Sequence, residues 1–308
     1  MSLLIERKTC PICSNSDKLE TLFSRAYTDP SLLEPLIAQH DGHLTREDVE
    51  GGSYMLIQCR HCNLLFQGFV PNDVLAEKIY SYSTKRITES FNKRMHARFS
   101  YFNENALLVQ KAAALLSDSV PYENSMLDFG MGWGFFLLMA KAHGFPVTGI
   151  EISKERRTFA EKQGILAFAS TAMLTGKTFH YIHADQVLEH VAEPLAVLQE
   201  LFPLLKKRGI VYLSVPDCRL TLVDTRSRKV DLFRKSILPL GHINGFTHQS
   251  LIALARRVGL RPLSRRELLR AFLTQVSPAR NAQLFQAALE VVYRYHTSTS
   301  LYFTTLDP

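Results

Sequence analysis

The chain has 308 residues, 46% hydrophobic and 21% charged, enough for one large domain or a medium domain with a smaller appendage. Its net charge is +7, and its longest apolar runs, such as Phe135–Ala140, fall far short of the ~20 residues that span a bilayer. The N-terminus, MSLLIERKT, carries no secretory apolar core, so the sequence reads as a cytoplasmic globular protein.

Residues 1–71 hold four of the five cysteines, as Cys10-Pro-Ile-Cys13 and Cys59-Arg-His-Cys62; Cys218 stands alone. Without an export signal, paired C-x-x-C spacing points to metal rather than disulfides. Four thiolates satisfy a tetrahedral zinc and leave no position for water, so the expected role is structural. The alternative is four reduced, unliganded cysteines, and His61, inside the second knuckle, is a bystander in either case. Between the pairs, Asp29-Pro30 predicts a helix over Ser31–Gln39, and Thr45-Arg-Glu-Asp48 resembles a capping box. Gly51-Gly52 turns the chain into Ser53–Gln58, which alternates like a strand.

Residues 72–120 read as a helical connecting or lid layer, with Asn72-Asp73 capping Val74–Tyr80 and a long helix over Thr88–Leu116. From about residue 121 strands and helices alternate, which implies a parallel sheet flanked by helices. The expected strands are Met126–Phe129, Pro146–Ile152, Ile165–Ala169, Phe179–Ala184 and Ile210–Val215; the expected helices are Phe135–His143, Lys154–Gln163, Pro194–Leu205 and Ser250–Val258. The catalytic region would span 121–262, and the tail 263–308 reads as mainly helical.

Asp128-Phe129-Gly130-Met131-Gly132-Trp133-Gly134 carries the strongest chemical signal. Glycines at 130, 132 and 134 allow a tight turn at a strand end and close approach of a ligand to the backbone. One strand later, Gly149-Ile150-Glu151-Ile152 places an acidic residue where it can accept both hydroxyls of a ribose. A dinucleotide fingerprint would need glycine at 135, which is Phe. These motifs resemble those of class I S-adenosylmethionine-dependent methyltransferases. Asp185–Val191 resembles the segment after their fourth strand, Lys206–Pro216 their fifth strand, and Gly241–Thr247 the segment opening the next helix.

The resemblance implies an α/β, Rossmann-like fold, a mostly parallel seven-stranded sheet flanked by helices, with a small four-cysteine zinc-binding module at its N-terminus. It implies S-adenosyl-L-methionine as methyl donor, bound by Asp128, Gly130, Met131, Gly132, Gly134, Glu151, Ile152 and Gln186, and structural zinc on Cys10, Cys13, Cys59 and Cys62. The stretch Ile165–Lys177 lacks an Asp for the adenine amine, which leaves backbone groups around Ala169 and Ser170. Tyr54, both cysteine pairs, Pro71 and Tyr80 together resemble the N-terminal zinc-binding domain of sugar C-methyltransferases. In that family the His matching His242 is a catalytic base, accompanied by a Tyr and a Glu where this chain has Pro239 and Gly241. His242 is therefore a candidate base, with loop ordering as the alternative. His190, beside Glu189, is the second catalytic candidate. A related E-x-x-E-H cluster binds a divalent metal in a quinone-biosynthesis O-methyltransferase group, but Gln186 stands at its first position here, so no metal is expected. Tyr80 and Tyr82 are candidates for closing over the cofactor.

The expected function is methylation, on oxygen, of a sugar, a nucleotide-linked sugar, a glycan or a related secondary metabolite. The chief rival is an RNA methyltransferase. Between Leu205 and Arg270 there are 15 Lys+Arg against 4 Asp+Glu, a segment that would attract phosphates. Against it, the cysteine region lacks the interleaved basic and aromatic residues that stack on bases. A second rival is a non-catalytic scaffold, against which the intact glycine turn and Glu151 argue.

Overall fold

The structure, a computed structural model, describes residues 2–80, 99–116, 120–226, 236–274 and 282–306. In chain order the strands are β1 (Leu4–Glu6), β2 (Leu19–Ala26), β3 (Ser53–Cys59), β4 (Leu65–Gln67), β5 (Phe69–Pro71), β6 (Met126–Phe129), β7 (Val147–Ile150), β8 (Leu166–Phe168), β9 (Phe179–Asp185), β10 (Leu205–Ser214), β11 (Asn244–Gly245), β12 (Leu260–Pro262) and β13 (Ser300–Thr305). They belong to two units that cut across the contiguous segments expected from the sequence. One comprises Met1–Ala97, Leu188–Leu195 and Val215–Leu254, the other Arg98–Val187, Ala196–Ser214 and Ala255–Pro308. Tyr82, and the part of the expected Thr88–Leu116 helix before residue 99, lie outside the described residues.

The first unit contains a four-stranded sheet in the order β11-β4-β3-β2 and the two-stranded pair β1-β5. The expected strand over 53–58 is β3, and its partner β2, unforeseen in the sequence, pairs with it from Leu19–Cys59 to Ala26–Ser53. The helix expected over 31–39 runs Pro30–Gln39, with the Asp29 side chain accepting from the Ser31 N–H. Asp48 reaches back to the Thr45 N–H at 2.7 Å, which is one half of the expected capping box. The core is built from Tyr27, Leu32, Leu36, Tyr54, Leu56, Leu65, Ile237 and Leu240.

The second unit is built on a seven-stranded sheet in the order β12-β13-β10-β9-β6-β7-β8. Strands β8, β7, β6, β9 and β10 are parallel, and β13 runs antiparallel to β10 and to β12. Strand order reverses between β6 and β9, the place where open α/β sheets leave a crevice at their carboxyl ends. The tail expected as mainly helical contains helices Arg265–Thr274 and Ala282–Arg294, but it ends in β13. The run Ser-Leu-Tyr-Phe-Thr-Thr is rich in aromatic and β-branched residues, and four of its six side chains are buried against the sheet, so packing decides for strand. The helix expected over 194–205 stops at Leu201, because Pro203 cannot donate into a continuing helix.

At the centre of this sheet His183 is 2% exposed. Its ring stacks on Phe136 at 3.9 Å and 6° and on Tyr212 at 4.9 Å and 13°. Burial holds its pKa down to about 3. Its Nδ1 has no hydrogen-bond partner among the described residues. As pH falls from ~6.5 toward 3, the unfolded chain takes up a proton that the folded chain refuses, so this residue removes stability on the acid side, by up to ~1.4 kcal/mol per pH unit. His183→Phe should therefore show a flatter loss of stability than the parent in urea unfolding between pH 6.5 and 4. Equal slopes would mean that His183 does not stay neutral in the fold.

Candidate functional site

In the second unit, β6 delivers Asp128 and then turns through three glycines in the left-handed region, Gly130, Gly132 and Gly134, at φ 75°, 56° and 76°. Side chains are excluded there by strain, and at Gly130 also by space, since a Cβ would lie 2.5 Å from Val187 Cγ2. At Gly132, by contrast, a Cβ would meet no atom within 4 Å, so the backbone borders open space. The turn is pinned to the next strand: the N–H groups of Gly130 and Met131 donate to the Ile150 carbonyl at 2.8 and 3.0 Å.

Glu151 closes the arrangement. Its side chain is 3% exposed, and its carboxylate accepts from the Gly132 N–H at 3.0 Å and the Ser153 N–H at 2.8 Å. Arg156 Nη1 lies 3.6 Å away. The arginine also lies over the Trp133 ring, which packs edge-on against Phe159 with centroids 5.3 Å apart. Asp128 and Asp185 complete an acidic floor. Burial, then the charges of Asp185 and Glu151, hold Asp128 well above the usual carboxylate range. Burial likewise pushes Asp185 up, against hydrogen bonds from Ser214 and Gln186. Gln186 is exposed at the end of β9 in the left-handed region, φ 56°, and its N–H donates to the Ser214 carbonyl at 2.8 Å. Ile152 is 67% exposed beside Glu151. Behind Ala169 and Ser170, the Phe168 carbonyl accepts from the Glu151 N–H at 3.0 Å.

In the first unit the four paired cysteines converge, with all Sγ atoms within 4.8 Å of one another. The closest pairs, Cys10–Cys62 and Cys13–Cys59, are each 3.5 Å apart, far beyond a disulfide bond. A tetrahedral zinc with bonds of ~2.3 Å has sulfur–sulfur edges of about 3.8 Å, which these separations fit. The knuckles are alike in backbone. The N–H of Cys10 donates to the Asn15 carbonyl and that of Cys59 to the Leu64 carbonyl, at 3.0 and 2.9 Å. Ser14 and Asn63 follow the second cysteine of each pair in the left-handed region, at φ 58° and 62°. Contact between Cys10 and Cys62 draws the first thiol down and pushes the second up. His61 is exposed and outside the cluster.

Also in the first unit, Glu189, His190 and His242 each offer a polar atom within 4.8 Å of the others. Glu189 is fully buried, and the two imidazoles meet edge to face with centroids 4.6 Å apart. His190 Nδ1 lies 3.1 Å from the Gly241 carbonyl, which can only accept, so Nδ1 carries the hydrogen and Nε2 is bare. Although part of His190 reaches solvent, desolvation and the neighbouring His242 hold it down to about 4. The sequence pointed to the histidines separately; their meeting, with Glu189 beside them, is a property of the fold.

Three residues behind this cluster had no role in the sequence reading. Gln67 is buried, accepts from the Leu240 N–H at 3.1 Å, and donates to the carbonyls of Leu238 and His242 at 2.6 and 3.0 Å. Leu240 itself is held at φ 59°. Asn244 donates to the carbonyls of Leu188 and Val191, and Arg7 donates to Asn244. Asn244 lies inside the 241–247 segment that the resemblance singled out. Arg7 and Gln67 leave no sequence signal, because each is one polar residue whose partners lie far along the chain.

Among the described residues no helix is long and apolar enough to cross a membrane. Residues 96–265, more than half of the chain, match the methyltransferase domain family. The chain is 28% identical over 106 residues to the ubiquinone biosynthesis O-methyltransferase of Histophilus somni, covering 30% of this chain and 44% of that one. It is 27% identical over 130 residues to an uncharacterized protein of Methanocaldococcus jannaschii, covering 41% and 61%. The chain thus spans about half the length of these curated relatives. Among solved structures it is similar to the plantazolicin methyltransferase BpumL, at 18% identity and TM-score 0.46 over 76% of this chain and 95% of that one. It is also similar to the magnesium protoporphyrin IX methyltransferase of Synechocystis PCC 6803, at 16% identity and TM-score 0.40 over 57% and 86%. With its glycine turn, its acidic strand end and a sheet whose last strand inserts antiparallel, the chain belongs to the methyltransferase domain family and has the Rossmann-like class I fold.

Proposed function

We propose that the protein transfers a methyl group from S-adenosylmethionine to a hydroxyl of a small acceptor, a sugar, glycan or related secondary metabolite. The observation that carries this reading is the Glu151 carboxylate, buried at the end of β7 and clasped by Gly132 and Ser153 N–H groups beside open space at Gly132. Such a carboxylate suits a ribose diol, since each oxygen can accept a further hydrogen bond from a hydroxyl. Bound there, S-adenosylmethionine would supply an electrophilic methyl carbon for the acceptor oxygen, with the electron pair of its carbon–sulfur bond left on sulfur and the hydroxyl proton passed to the protein.

The rest falls to the chain's own residues. In-line displacement needs the acceptor held close and collinear, which is a task of positioning. The acceptor's proton has to leave, and we assign it to His242, with the buried Glu189 supporting the charge that develops on the ring. His190 is neutral near pH 7 and keeps its bare Nε2 available as a hydrogen-bond acceptor. We further propose that one zinc per chain is held by Cys10, Cys13, Cys59 and Cys62 in a structural role.

Three measurements test these assignments. Glu151→Ala removes an acceptor whose charged hydrogen bonds are worth ~1.5–3 kcal/mol each, so calorimetry should find S-adenosylmethionine affinity lowered at least tenfold; unchanged affinity removes Glu151 from the site. His242→Gln should bind the donor normally yet turn over roughly 10²–10⁴-fold more slowly with a sugar or glycan acceptor, whereas near-parental turnover shifts the role to His190. Purified protein should contain stoichiometric zinc that is lost in a Cys10→Ser, Cys62→Ser variant; a metal-free parent with four freely titratable thiols contradicts the zinc assignment.

A further inference from the structure

Arg7 lies three residues before the first knuckle cysteine, with only 9% of its surface exposed. Its N–H donates to the Gly68 carbonyl at 2.7 Å, which anchors it beside β4 and β5. Its guanidinium then spans two acceptors, giving one hydrogen bond to Asn244 Oδ1 at 2.9 Å and one to the Ala192 carbonyl at 2.5 Å. Burial of the cation is costly, and the Glu193 carboxylate offsets part of that cost. Residue 192 closes the turn that carries Glu189 and His190, and residue 244 follows His242 by two.

Asn244 is fully buried and directs all three of its N–H hydrogens to this turn. Its amide hydrogens go to the carbonyls of Leu188 and Val191 at 3.0 and 2.8 Å, and its N–H goes to the Glu189 carbonyl at 3.1 Å. A side-chain amide can sit either way round, with oxygen and nitrogen exchanged. The Leu188 and Val191 carbonyls accept only and a guanidinium donates only, so the turn and Arg7 agree on one orientation, with Asn244's oxygen on Arg7 and its two amide hydrogens on the turn. Without Arg7 the amide oxygen loses its partner and the Ala192 carbonyl loses its donor.

We propose that Arg7 is a positioning residue: by bridging Asn244 and the Ala192 carbonyl it fixes the Glu189–His190 turn against the segment that carries His242. The strand pairing of Asn244 and Gly245 with Phe66 and Leu65, just beyond the second knuckle, supplies the other half of the same support. The N-terminal cysteine region is then the mould in which the two histidines are set, rather than a separate appendage. The proposal rests on the reading of His190 and His242 as acceptor-side residues.

The test reads the His190 ring itself. With its Nδ1 hydrogen facing the Gly241 carbonyl, His190 should give a single-tautomer nitrogen NMR pattern at pH 7, assigned by its absence in His190→Gln. Arg7→Met keeps the apolar stem and loses the fork. It should collapse this pattern toward a tautomer average and speed amide hydrogen exchange at 188–192 at least tenfold. Arg7→Lys keeps the charge but cannot span both acceptors, so it should fall between the two. Affinity for S-adenosylmethionine should stay at the parental value in both, and circular dichroism should show an intact fold. A His190 pattern and exchange rates identical to the parent in Arg7→Met overturn the proposal. If Arg7→Met does not fold, Arg7→Lys decides, and parental exchange at 188–192 in that variant overturns it equally. Failure of the parent protein to bind S-adenosylmethionine would instead overturn the methyltransferase reading, and would leave the Arg7 result standing.

Discussion

A buried backbone carbonyl without a donor costs as much as a lost hydrogen bond, and irregular segments have no ladder to supply one. In this chain residues 188–192 and 238–243 are irregular and carry the histidines. Two buried side-chain amides meet much of the need: Gln67 donates to the Leu238 and His242 carbonyls and accepts from the Leu240 N–H, while Asn244 donates to the Leu188 and Val191 carbonyls and adds its backbone N–H to that of Glu189. An amide suits this work because it offers donors and an acceptor in one plane and carries no charge. Gln67 is fully committed, its oxygen also accepting from the Tyr27 hydroxyl at 3.1 Å. The geometry of Glu189, His190 and His242 depends on these two side chains, because neither loop has regular structure to hold it.

The glycine turn after β6 solves a related problem by different means. There the backbone must leave a strand, bend sharply and expose N–H groups, and glycine at three positive-φ positions makes this possible without strain. Glu151 then uses one carboxylate for two purposes, ordering the turn through Gly132 and the following helix start through Ser153. A residue with two such bonds already made is pre-organised for a third partner, since little side-chain entropy is left to lose. Trp133, within the same turn, packs edge-on against Phe159 and lies under the Arg156 guanidinium, which ties the turn to the helix that follows Glu151.

What the sequence disclosed and what it hid follow from the distance over which each interaction acts. The glycine turn, the acidic strand end and the two knuckles are local patterns, set by φ angles and spacing within a few residues, and they were legible as motifs. The alternating strands and helices of 126–215 were legible for the same reason. Strand β13 was not, because Ser300–Thr305 is a short apolar run whose state is decided by insertion beside β10, about ninety residues earlier in the chain. Strand β2, flanked by the first knuckle and a helix, alternates too weakly to stand out before β3 is paired with it. The support of the histidines was hidden as contacts, although Asn244 lay in a segment that the resemblance singled out. Arg7 and Asn244 are 237 residues apart, and Gln67 lies 173 from Leu240, so no window along the chain contains both partners.

That distance changes how the cysteine region is understood. A structural metal site is usually credited with stabilising a segment too small for its own core. Here the segment has a core, with Tyr27, Tyr54 and a set of leucines fully buried around it, and that core includes Ile237 and Leu240 from far along the chain. The knuckles therefore do more than staple residues 10–62 together. Cys59 ends β3 and Cys62 leads into β4, and β4 is the strand against which Asn244 and Gly245 are laid. Fixing the two cysteine pairs fixes the register of β3 with β4, and that register determines where the next strand, and the histidine two residues before it, must run. Methyl transfer depends chiefly on placing groups, and under the proposed function the four thiols would set the frame for His242 without taking part in the transfer.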